Sequence, residues 1–192
     1  MNQKMKKLII TILFILGINK TFSQISNVNI VTKQNDTLKN VVLKINYFSK
    51  VELNHKLQEK LVVLDKNGNK KELLPSDVTS FSLKYNNETL NYENVDNNLF
   101  ALIMYSNKLK LLKYIKRGYT SINIYIIKRP NDGKISYMEA MGLSRLISKK
   151  VINREITDCQ STIDKVDNKE LKIHGESGVL ELIKDYELSC FN

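Results

Sequence analysis

The side chains that could do chemistry are few and scattered. The chain has two histidines, His55 and His174, 119 positions apart, and neither has a carboxylate beside it. Neither has a second His or Cys at i+3 or i+4, the spacing that would put two zinc ligands on one helix face. A Ser-His-Asp triad needs no proximity in sequence, but no serine lies in a nucleophile-elbow setting. Cys159 precedes a helix-like stretch whose N-terminus would activate a thiol, while the charge of Asp158 beside it works the other way. The polar turns at 35–36, 65–69 and 131–133 lack the spaced oxygen ligands and closing Glu of a calcium loop. The seven glycines are dispersed, and none opens a phosphate-binding loop. No catalytic residue, metal ligand or cofactor site emerges.

The best binding candidate is a basic, aromatic run: Lys108, Lys110, Lys113, Tyr114, Lys116, Arg117 and Tyr119. Cations interleaved with tyrosines can follow an anionic surface or a phosphate backbone and stack on planar groups. On a strand, however, Lys108 and Lys110 point one way and Lys113 the other. A solvated strand face is the competing reading. The two cysteines, Cys159 and Cys190, invite a disulfide if the chain reaches an oxidising compartment. Spacing alone does not separate that bond from two buried thiols.

The elements that must carry these residues change character along the chain. From 28 to 128, short strands alternate with Asn-rich turns, and Asn tolerates the left-handed backbone that tight turns need. Val41, Leu43, Ile45 and Tyr47 recur at period two, as do Phe81, Leu83, Tyr85 and Ile122, Ile124, Ile126. Asn67-Gly68 and Asn86-Asn87 mark hairpins. Residues 50–60 and 99–105 are ambiguous between helix and strand. After the turn at 129–133 the period lengthens. Ser136 and Glu139 have capping-box spacing, and Met138, Met141, Leu143, Leu146, Ile147 and Val151 follow at helical intervals up to about Ile152. Two more helices are expected, one from Thr157 to about Val166 and one near 177–188. The expected fold is α+β: an antiparallel sheet, open or curved strongly enough to be barrel-like, followed by two to three C-terminal helices. A β-rich part (28–128) and a helical part (136–188) form one domain over 24–192.

Residues 1–23 read as an export signal. Lys4, Lys6 and Lys7 precede an apolar stretch from Leu8 to Ile18, and Thr21-Phe22-Ser23 supplies small residues for cleavage. The stretch is about half the ~20 residues needed to span a bilayer, and none like it follows, so the mature chain has no transmembrane segment. The formal charge is +10, and loss of four lysines with residues 1–23 lowers it to +6. A basic exported chain suits an anionic surface or an acidic protein face. Nucleic acid is not expected outside the cytoplasm.

The order of these pieces resembles a family of exported Bacteroidota proteins without a known function. The likeness lies in the signal ending Thr21-Phe22-Ser23-Gln24 and in the strand–turn–strand Ile30-Val31-Thr32-Lys33-Gln34-Asn35-Asp36-Thr37-Leu38-Lys39. It continues in Leu74-Pro75-Ser76-Asp77-Val78-Thr79-Ser80-Phe81, in Leu99-Phe100 leading to Lys110-Leu111-Leu112, in Asp158-Cys159 and in Asp185-Tyr186 near the end. The resemblance implies a β-rich periplasmic, outer-membrane-associated or secreted domain and attaches no reaction to it. The expectation is a non-enzymatic module binding an envelope protein or an anionic envelope surface. A hydrolase with a dispersed site and an exported immunity-type inhibitor are the alternatives.

Overall fold

The computed structural model describes residues 23–47, 49–65, 67–117, 121–130, 135–140 and 146–191. Residues 1–22 of the expected signal, Lys66, Tyr119, the turn residues Asn131-Asp132-Gly133, and Met141 and Leu143 lie outside the described residues. Ten strands form one antiparallel sheet: β1 (Ser23–Thr32), β2 (Thr37–Ile45), β3 (Leu61–Leu64), β4 (Lys70–Leu73), β5 (Val78–Tyr85), β6 (Glu88–Val95), β7 (Leu99–Ser106), β8 (Lys110–Lys116), β9 (Ile122–Lys128) and β10 (Ile135–Ala140). Their spatial order is β10-β9-β8-β7-β6-β5-β1-β2-β3-β4. Helix α1 (Lys50–Glu59) interrupts the strands, and α2 (Lys149–Glu155), α3 (Gln160–Asp167) and α4 (Gly175–Cys190) follow them.

The α+β class therefore holds, with three corrections. The sheet does not close into a barrel, since β10 and β4 are its two ends. A fourth helix, α1, stands inside the β-rich part. The helix expected from Ser136 is instead strand β10, in which Ser136, Met138 and Ala140 are buried and Tyr137 and Glu139 exposed. That is a period of two, and β10 pairs with β9 over its whole length. The Ser136–Glu139 spacing is therefore coincidental.

Local chemistry explains the turns. Asn86 (φ 47°) and Asn87 (φ 65°) form the two-residue link between β5 and β6, and Gly68 (φ 80°) turns β3 into β4. Asn27 (φ 62°) and Asn40 (φ 55°) sit at irregularities on either strand of the β1–β2 pair. Each adds a residue to one strand, so the two offsets cancel and the hairpin regains its register. Lys169 (φ 64°) is the one such residue that is neither Asn, Asp nor Gly among the described residues. It ends α3 where glycine usually does, with the Lys169 and Glu170 amides donating back to the Val166 and Lys165 carbonyls.

Residues opposite each other across an antiparallel ladder share a face, which divides the core. On one face, Val28, Ile30, Leu43, Phe81, Leu83, Tyr92 and Phe100 pack under Leu53 and Leu57 of α1. The Phe81 ring stacks on Tyr92 at 4.6 Å and meets Phe100 edge-on at 5.0 Å. Further along that face, Leu111, Tyr125, Ile127 and Met138 pack against Ile152, Leu182, Ile183 and Tyr186 of the C-terminal helices. The opposite face of β7–β9 buries Ala101, Leu112, Ile124 and Ile126 together with Val95. No helix among the described residues is assigned to that cluster.

The sheet covers this face by curling. In a flat sheet β6 and β10 would lie about 19 Å apart, four steps of ~4.8 Å. Yet Tyr137 of β10 donates to Asp96, just past β6, at 2.9 Å. Lys128 of β9 and Lys110 of β8 both donate to Glu93 of β6 at 2.7 Å. Where β7 parts from β8, the Gln58 side chain of α1 takes the place of a strand neighbour. Its amide donates to the Ile115 carbonyl at 3.0 Å and accepts from the Ile115 amide at 2.7 Å.

The helices are fixed to the sheet by a buried guanidinium. Arg129 donates to the Tyr186 hydroxyl (2.6 Å), the Ser136 hydroxyl (2.9 Å) and the Glu155 carbonyl (2.6 Å), with Asp158 at 3.3 Å. Cys159 and Cys190 form a disulfide that joins the start of α3 to the end of α4. Gly178, in the first turn of α4, lies so close to the preceding chain that an added Cβ would stand 2.4 Å from the Lys172 carbonyl oxygen. Two stability results are expected in urea titrations. Gly178→Ala should lower stability by about 1–3 kcal/mol through overpacking, although alanine is the better helix former. Reducing the disulfide should cost about 3–4 kcal/mol by releasing the loop between the cysteines.

Candidate functional site

Over its described residues, 108–117, the basic run does not form one surface. Lys110, Tyr114 and Lys116 lie on the curled face and Lys113 on the helix-covered face, as the ladders of β8 with β7 and β9 require. Lys110 is held by Glu93 and Lys113 by Glu176 at the start of α4. Tyr114 packs against the cluster inside the curl. Lys108 and Lys116, at opposite ends of β8, are exposed, as is Arg117. Tyr119 lies outside the described residues. Three exposed cations at two ends of a strand are not a continuous patch.

Several buried polar groups are similarly engaged within the fold. Burial works against ionisation of Glu93, but hydrogen bonds and charge from Lys110 and Lys128 outweigh it and hold the carboxyl below the usual carboxylate range. Glu187 of α4 accepts from the Tyr105 hydroxyl (3.2 Å), the Asn107 side-chain amide and the Leu109 backbone amide (2.9 Å), fastening the β7–β8 turn to the helix. Burial, and next the Asp158 carboxylate, push the Tyr186 phenol upward, against the pull of Arg129. Burial and the Asp96 hydrogen bond push Tyr137 up to about 12. His55 faces the core from α1, and His174 is exposed ahead of α4. Among the described residues no side chain hydrogen-bonds either imidazole. Cys159, being disulfide-bonded, has no thiolate to offer. The Asp65 carboxylate is taken up by its own turn, accepting from the Asn67 and Asn69 amides at 2.8 Å each.

What the fold leaves open is a sheet edge. Strand β2 has nine residues, but β3 has four and pairs with it only at Val42↔Leu64 and Leu43↔Val63. The chain then leaves through the Asp65 turn. Residues 37–41 are paired to β1 on one side, and no strand among the described residues pairs with them on the other. Beside this edge lies an open groove of about 580 Å³ lined by Leu38, Lys39, Val41, Val63, Leu64 and Lys71, among others. Leu38 on this edge is 40% exposed. The sequence carries a sign of this edge, because the turn at 65–69 comes too soon for β3 to match β2 in length. The period-two pattern of 37–47 reports the buried face and says nothing of the edge.

A second opening of about 310 Å³ lies between α2, the end of α3 and residues 169–173, with Ile147, Ile152, Val166, Leu171 and Ile173 inside and Lys149, Lys169 and Lys172 around it. Among the described residues no helix is long and apolar enough to cross a membrane, and no group of three metal-ligating side chains is present. No protein-family model matches the chain, and neither a curated protein nor a solved structure matches it.

The Glu93 contacts predict a pH dependence. Its folded pKa lies below the unfolded value of about 4.3, so its contribution is complete above that value and is lost as the pH falls through the folded one. Between pH 5 and pH 3 the urea midpoint of the wild type should therefore fall more steeply than that of Glu93→Gln. The variant should begin lower at pH 7, where two half-buried lysines have lost their counter-charge. Parallel pH profiles for the two proteins would count against this role.

Proposed function

We propose that this chain is an exported, non-enzymatic binding module of the cell envelope, and that it takes a protein partner as an added strand along β2. The observation that carries the reading is the open edge at residues 37–41 with the groove beside it. An unpaired strand edge offers a row of amides and carbonyls to an extended segment, and pockets beside it select alternate side chains. Such edges are usually blunted by shortness, charge or a covering element, because they recruit other chains indiscriminately. Here Lys39 and Lys71 outnumber Asp65, whose carboxylate is taken up by its own turn, and this balance disfavours a second copy of the same basic edge and favours an acidic or neutral strand. The export signal read in residues 1–23 and the resemblance to exported Bacteroidota proteins support the envelope as the setting.

A photo-crosslinking residue at Leu38 tests this reading in the native host, with one at Lys84 on β5 as control. The expected result is one stoichiometric protein adduct from position 38 and none from position 84, together with slowed amide exchange at 37–41 in the captured complex. Lys39→Glu with Lys71→Glu should slow association with that partner at low salt and leave folding intact. Equal labelling from both positions, or unaltered exchange at 37–41, would exclude strand addition at β2.

A further inference from the structure

The opening between α2, α3 and residues 169–173 differs in kind from the β2 groove. Its floor is aliphatic, with Ile147, Ile152 and Val166 buried, and its charged lining residues are Lys149, Lys169 and Lys172. We propose that it is a binding site for a single-chain anionic amphiphile, specifically a medium-chain fatty acid, with the alkyl chain on the isoleucines and the carboxylate among the lysines.

Three observations carry this. The volume of about 310 Å³ lies at the lower end of the range for small-ligand sites, about 300–1,000 Å³, which are mostly apolar with a few placed polar groups. The charged residues that line it are all lysines. Lys149 is held over the site by the Asp167 carbonyl at 2.9 Å and, more loosely, by the Asp167 carboxylate at 3.4 Å. Among the described residues Lys169 and Lys172 have no side-chain partner, although the chain elsewhere pairs many of its lysines. Finally, Lys169 occupies the left-handed position that ends α3, where glycine would fit without strain. A cation thus stands where the local backbone favours glycine. Residues held in sparsely populated conformations cluster at ligand contacts, and the other left-handed positions among the described residues carry Asn, Asp or Gly.

Lys169 also separates a binding role from a structural one. Lys169→Gly removes the ammonium and relieves the backbone, so it should raise the thermal midpoint while weakening the ligand. The experiment is calorimetric titration of the purified chain with sodium decanoate below its micelle concentration, with decanol as the uncharged probe. Saturable one-to-one binding is expected, at least tenfold weaker for Lys169→Gly, for Lys172→Glu and for decanol, and weaker for the wild type in high salt. Amide shifts should be confined to residues 147–152 and 166–173. Three outcomes would overturn the proposal: no saturable decanoate binding, equal affinity for decanol, or unchanged affinity in both lysine variants. Because this site shares no residue with the β2 edge, either proposal can fail without the other.

Discussion

Strands β8 and β9 are buried on both faces, and the rest of the architecture answers to that. Five consecutive residues of β9, from Asn123 to Ile127, are buried, and Leu111 and Leu112 of β8 face opposite ways and are both inaccessible. One face receives α1 and the three C-terminal helices. The other is covered by the sheet itself, which bends until the β6–β7 corner stands over β9 and β10. Apolar burial supplies the drive, at roughly 25 cal/mol per Å². It does not fix the register of the curl. Glu93 does, because a half-buried carboxylate between two ammonium groups tolerates little displacement before one charge is left unpaired.

The same bend decides what remains for binding. It draws Lys110 and Lys128 inward as counter-ions, while α4 draws in Lys113. Lys110 and Lys113 of the basic segment thus serve to hold the fold together, while Lys108, Lys116 and Arg117 stay exposed. The remaining opportunities lie away from the curl, at opposite parts of the sheet order. One is the β2 edge, uncovered because β3 turns away after four residues. The other is the lysine-ringed opening among the C-terminal helices. The first offers backbone hydrogen bonds and the second an apolar interior, so they suit different classes of ligand.

The C-terminal helices are short, and α2 and α3 have seven and eight residues. Helices of this length are marginal alone. Their order comes from contacts beyond their own backbones: Arg129 bonded to Tyr186 and the Glu155 carbonyl, Glu187 gripping the β7–β8 turn, and the disulfide from α3 to α4. Gly178 permits the close approach of α4 to residues 172–173, and this contact also shapes the wall of the second opening.

Much of the fold was legible in the chain because its signals are local. Asn86-Asn87 and Asn67-Gly68 announce their turns through the backbone angles those residues tolerate, and Val41, Leu43 and Ile45 declare a buried face at period two. Residues 135–140 misled because six residues are too few to separate the two periods, and the ladder with β9 overrode a fortuitous capping pattern. Residues 50–59 and 99–106 became helix and strand only through their neighbours. The basic run was visible, but its division between two faces depends on a strand assignment, and the pairing of Lys110 and Lys113 depends on Glu93 and Glu176, 17 and 63 positions away. The sequence by itself determined the turns, the strand-rich start and the basic charge, since these follow from the conformational and ionic properties of individual residues. The tertiary structure alone decided the curl, the paired lysines, the exposed β2 edge and the cysteine pairing, since each depends on which distant residues are brought within a few ångströms.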